Sequence, residues 1–151
     1  MRFLLCFFML MTAAWAGPTP KPQDDNLTRD WAQFRRKQVK DVHYELVFDL
    51  NKASETYQVK SILLVNLNHT KSALTLDLTA DKISALIVND KEIKKFTQRK
   101  GSFDIAAQYL ALTNKIEIRH ESAYSKEPNG FQRSIDPEDK SEYLFTDFEP
   151  Y

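Results

Sequence analysis

The sequence predicts a mainly β protein, an antiparallel β-sandwich or open twisted sheets, with a short N-terminal helix. Three observations predict it. From Val42 onward apolar and polar residues alternate with a period of two, the spacing that turns one side of an extended strand toward a core. Turn-forming clusters, among them Asn51-Lys52-Ala53-Ser54 and Asn68-His69-Thr70-Lys71, break the alternation, and they recur about every ten residues, as in all-β domains. Helical spacing occurs only before Val42, where Leu27, Trp31 and Phe34 fall at i, i+4 and i+7.

Taken in order, the chain opens on a secretory pattern. Arg2 supplies a positive start, Phe3 to Met11 an apolar core, and Ala14-Trp15-Ala16 a small-residue cleavage site before Gly17. The apolar run is shorter than the roughly 20 residues a membrane-spanning helix needs. Residues 1–16 are therefore expected to be a signal peptide, leaving no membrane anchor after cleavage and an exported, periplasmic or secreted, product. Cleavage would remove Cys6, the only cysteine, so the exported chain would rely on its hydrophobic core rather than on disulfides. Residues 17–25, Gly-Pro-Thr-Pro-Lys-Pro-Gln-Asp-Asp, read as an extended, proline-rich linker.

The domain proper is expected over 26–151. Asn26 or Thr28 can cap the helix, and Asp30 early with Arg35, Arg36 and Lys37 late suits its dipole. Val42, Tyr44, Leu46, Phe48 and Leu50 share one face of the first strand, with His43, Glu45 and Asp49 on the other. Tyr57, Val59, Leu63, Val65 and Leu67 line a second strand, interrupted by the polar Ser61, and the two pair as an antiparallel hairpin. Leu74, Leu76 and Leu78 give a third strand and Ile83 to Val88 a fourth. Asn89-Asp90 turns the chain into Lys91 to Phe96, and Ser102 to Ile105 and Asn114 to His120 give two more.

The last segment is the most specific. Gly130 permits a backbone conformation that a residue with a Cβ resists, and Asp136-Pro137-Glu138-Asp139 forms a corner in which Pro137 fixes φ and the Asp136 side chain bonds the backbone beyond it. Tyr143, Phe145 and Asp147 then alternate with Leu144, Thr146 and Phe148 up to Glu149-Pro150, where proline ends the ladder. Tyr143 and Phe145 are expected in the core.

Composition excludes several function classes. The chain carries 21 Lys and Arg against 21 Asp and Glu, a net charge of zero, so nothing suggests the basic stripe of a nucleic-acid binder. No Gly-x-Ser-x-Gly elbow or glycine-rich phosphate loop is present. His120-Glu121-Ser122-Ala123-Tyr124 begins like His-Glu-x-x-His, but Tyr124 stands where the second zinc-binding histidine belongs and the segment follows a strand pattern. His43 and His69 are read as surface residues. Asn26-Leu27-Thr28 and Asn68-His69-Thr70 match the glycosylation pattern, which matters only in a eukaryotic secretory pathway.

The run Gly130-Phe131-x-Arg133-Ser134-x-Asp136-Pro137-Glu138-Asp139, followed by Tyr143-Leu144-Phe145-Thr146-Asp147-Phe148-Glu149-Pro150-Tyr151, resembles the N-terminal β-domain of the zinc aminopeptidase family that includes aminopeptidase N. Leu27-Thr28-Arg29-x-x-Ala32, with the alternation from Val39 to Leu50, is similar to the opening of that domain in bacterial members. The resemblance implies that Glu149 holds the free α-ammonium of a peptide substrate and that Asp147, where the family often has Gln, lines the first substrate pocket. It implies zinc as the cofactor of the complete enzyme, held by a helical domain with Gly-x-Met-Glu-Asn and His-Glu-x-x-His. Neither motif is present here, so this chain is expected to bind no metal and to be inactive alone. The partners implied are peptide N-termini. The runner-up expectations are a stand-alone exported β-module that binds peptides or proteins, and a non-functional gene remnant.

Overall fold

A computed structural model describes residues 28–52, 54–126 and 130–147. The expected signal segment, the linker, Leu27 and Glu149 lie outside the described residues. No described helix is long and apolar enough to cross a membrane.

Helix α1 spans Arg29–Gln38 and is capped by Thr28, whose hydroxyl accepts from the Trp31 backbone N–H at 3.2 Å. Trp31 is buried and stacks on Phe34 with ring centroids 5.3 Å apart, which bears out the expected apolar face at these two positions. At the helix end Gln38 is buried, and its amide donates to the Ser72 and Ala73 carbonyls at 3.1 Å each. That pins the helix to the loop beyond the first hairpin.

The chain then enters strands β1 (Val39–Asp49) and β2 (Thr56–Leu67), β3 (Leu74–Asp77), β4 (Lys82–Val88) and β5 (Lys91–Glu92). After β6 (Thr97–Arg99), β7 (Ser102–Ile105) and a single 3-10 turn at Ala107–Tyr109 come β8 (Thr113–Ala123), β9 (Gly130–Ile135) and β10 (Glu142–Asp147). The expected first hairpin is present, with Tyr44 opposite Leu63 and Phe48 opposite Val59.

Two sheets form a sandwich. A five-stranded sheet has the order β1-β2-β8-β4-β5 and a three-stranded sheet the order β3-β7-β6, while β9 and β10 form a separate ribbon. All pairings between these strands are antiparallel, and an isolated bridge between Ser125 and Gln132 is parallel. The core lies where Leu63, Val65 and Leu67 of β2, Ile116 and Ile118 of β8 and Leu86 and Val88 of β4 meet Leu74, Phe103 and Ile105 of the smaller sheet. A bulge in β4 between Ile83 and Ala85 shifts the parity, so that Ile83 and Leu86 both turn inward.

Four readings need correction. The strand expected to run to Phe96 stops at Glu92, and β6 follows instead; Thr-Gln-Arg carries no apolar alternation to mark it. β8 runs on to Ala123, beyond His120, because its ladder with β2 continues through Tyr57 and Ser122. His69 is not a plain surface residue: it is half-buried, with Nδ1 shielded from solvent. Tyr143 and Phe145 are not core. They are 56% and 48% exposed, because they line the face of the two-stranded ribbon that no other described element covers.

Candidate functional site

The hairpin that carries the most specific sequence is built from its corner outward. Asp136 Oδ1 accepts from the Glu138 N–H at 2.7 Å, as the turn reading requires, and Asp136 N–H and C=O bond Ser141 and Lys140. Lys140 closes the corner with φ 63°. Asp139 Oδ1 accepts from the Ser141 N–H at 2.8 Å, and this bond holds the Asp139 carboxyl below its usual range. The register that follows pairs Tyr143 with Ser134, Phe145 with Gln132 and Asp147 with Gly130.

Gly130 has φ 83°, a left-handed conformation that a Cβ disfavours. It starts β9 beside Ser125, whose N–H donates to the Phe131 carbonyl at 2.7 Å. Phe131 then anchors the ribbon to the large sheet. Its ring lies 5.7 Å from Phe48, 5.0 Å from Tyr57 and 5.6 Å from Tyr124, edge-on to the first two. Two residues on, Arg133 lies over the Tyr124 ring at 5.0 Å and donates to the Ser54 carbonyl and the Glu55 carboxylate. Sequence reading missed this anchor: one aromatic and one arginine per strand carry no periodic signal.

Asp147 stands exposed on β10, the strand paired with the anchored β9, on the same side as Tyr143 and Phe145 by strand alternation. A carboxylate beside an aromatic stripe is chemically suited to an ammonium group. An exposed ion pair is worth only up to about 1 kcal/mol in water, so Asp147 alone holds no ligand tightly. Glu149, the expected ammonium partner, is two residues further and outside the described residues.

A second cluster sits beneath the anchor. His120 Nδ1 and Ser122 Oγ are 3.2 Å apart on one face of β8, and Tyr57 bonds Ser122 from β2. Burial lowers the His120 imidazole pKa and raises that of Tyr57, the Ser122 bond only partly offsetting it. His-x-Ser on a strand necessarily places both side chains on one face, a signal legible in His120-Glu121-Ser122. The pair is buried in the β2–β8 ladder with Tyr57 bonded to Ser122, and it reads as a polar seam between core and aromatic cluster.

An open cleft of about 360 Å³ lies against the small sheet, lined by Ala73, Lys95, Phe96, Thr97, Asp104 and Ala106. Its carboxylate is already engaged. Arg99 grips Asp104 with two bonds of 2.5 and 2.7 Å, and the Thr75 hydroxyl donates at 2.6 Å. Burial pushes the Asp104 carboxyl up, but these donors outweigh it and hold it below its usual range.

Among the described residues no group of three or more His, Cys, Asp or Glu side chains is placed to hold a metal ion. The described residues do not fit a zinc centre, and His120 lies in a strand with Ser122 as its partner. No protein-family model matches the chain, and no curated protein matches it.

Proposed function

We propose that this chain is the N-terminal, substrate-amine-recognising part of an exported zinc-dependent aminopeptidase, an enzyme that releases N-terminal residues from peptides. The reading rests on one observation. The sequence run that resembles that family folds as a seated hairpin, and its last described strand ends with the exposed carboxylate of Asp147. Glu149, next but one in sequence, supplies the principal partner for the substrate α-ammonium. Such a charge-assisted contact is worth roughly 1.5–3 kcal/mol when water is excluded, and it selects peptides with a free N-terminus over internal peptide bonds. Zinc and the catalytic glutamate belong to residues outside this chain, and no chemical step is assigned to it.

The test compares a short peptide with its N-acetylated form, titrated into the isotope-labelled chain while the β9–β10 amides are followed by NMR. Free-amine peptide should shift the amides near Asp147, the acetylated peptide should not, and Glu149→Ala should abolish the difference. Equal response to the two peptides would overturn the amine-binding role.

A further inference from the structure

Strand β1 is the outermost strand of the five-stranded sheet, and its second edge has no partner among the described residues. Its inner face is also largely uncovered, the ribbon touching it at Phe48 through the Phe131 ring. Val42, Tyr44, Leu46 and Phe48 are 37%, 58%, 51% and 43% exposed, although the residues opposite them on β2, from Val59 to Val65, are buried. The small sheet reaches β1 only at Val39. The strand is eleven residues long, contains no proline, and has its one irregularity at its start, between Val39 and Asp41. The edge strand carries Lys40, Asp41, Glu45 and Asp49 as well as that bulge, so strand addition needs a register that sets unlike groups opposite one another.

We propose that this edge is the interface of a two-fold dimer, β1 pairing antiparallel with β1 of a second copy and centred on Tyr44. Continuity of the two apolar faces requires one residue to face its own copy, which leaves few registers. Centring on Glu45 sets Glu45 against Glu45 and Asp41 against Asp49, like charges directly opposed. Centring on His43 opposes Asp41 to Glu45. Centring on Tyr44 sets Val42 against Leu46 on the apolar face and His43 against Glu45 on the polar face, each pair occurring twice by symmetry. It also overlays Val39–Asp49 on itself apart from the bulge between Val39 and Asp41. Centring on Leu46 pairs His43 with Asp49 but leaves the first residues of β1 without partners. The closed pairing consumes the edge and makes one sheet continuous through both copies. It stands independently of the aminopeptidase reading.

The test uses the full chain and follows mass against concentration by sedimentation equilibrium. The wild type should form a dimer and no larger species. His43→Glu opposes two pairs of like charges and should weaken association roughly tenfold. The swap His43→Glu with Glu45→His should restore it, and matching circular dichroism spectra separate lost association from lost fold. In a Cys6→Ser background, Tyr44→Cys should oxidise to a disulfide dimer, because residues facing one another across antiparallel strands lie within disulfide reach. A monomer at every concentration, open-ended polymers, or a dimer indifferent to His43→Glu would overturn the proposal. So would a cross-link formed by Leu46→Cys and not Tyr44→Cys. A monomer that instead binds extended peptides along β1 would reassign the edge to peptide capture.

Discussion

The Arg133 guanidinium lies 5.0 Å from the centre of the Tyr124 ring while its nitrogens reach back to the Ser54 carbonyl and Glu55. This one side chain, mostly buried at 12% exposure, ties the ribbon to both the β1–β2 turn and the end of β8. Glu55 is 88% exposed, so its ion pair contributes little. The bond to the carbonyl and the cation–π contact carry the anchor.

Arg133→Ala should therefore cost roughly 2 kcal/mol, and Arg133→Lys should recover less than half because a lysine lacks the planar fork. Hydrogen exchange localises the effect. Protection of β9 and β10 should fall while that of β2 and β8 is unchanged. Equal loss throughout the sheets would mean that the ribbon is not a separate unit.

The β4–β5 hairpin gives a pair of opposite effects. Asn89 and Asp90 both have positive φ, 51° and 63°, the conformation of a two-residue hairpin turn that prefers Asn-Gly. Asp90→Gly should stabilise the protein by about 0.5–1 kcal/mol. Asn89→Gly should destabilise it despite the same backbone relief. The Asn89 amide bonds the Tyr109 carbonyl and Asn114, and its oxygen accepts from the Lys115 N–H. Urea unfolding of the two variants checks the sign.

Acid should act in two windows. Burial holds His120 below its ordinary 6.5, so the unfolded chain binds its proton first as pH falls. Its contribution to stability is complete above the unfolded value and is lost as pH drops from there toward the folded value. His120→Gln should flatten the fall in stability as pH drops below the ordinary histidine value of 6.5. Asp104 is held below its ordinary 3.8, so its contribution is present above that value and disappears only as pH falls through the folded one. Asp104→Asn should cost roughly 2 kcal/mol at neutral pH and remove the lower window, leaving the upper one intact. Urea midpoints across pH measure both.

The sequence shows the local pairings well and the distant ones poorly. β1 with β2, β4 with β5 and β9 with β10 are each joined by short turns whose chemistry is written in Asn51 to Ser54, Asn89-Asp90 and Asp136-Pro137. The placement of β8 between β2 and β4 is not legible, because period-two patterning sets a strand's faces and not its neighbours. The same limit explains Tyr143, Phe145 and Tyr44. Alternation marks each as apolar-face, but burial depends on whether a second layer reaches that face. At the candidate site, the turn around Asp136 and the strand to Asp147 were readable, whereas the Phe131 and Arg133 anchor needed the fold.

The most direct test of the account is the native product itself. Its intact mass should be measured in the exported fraction of its source, with aminopeptidase activity assayed on the same fraction with and without a chelator. The account predicts a product much heavier than this chain, containing these residues, with activity that the chelator abolishes. A product of this chain's own mass, without aminopeptidase activity, would contradict it.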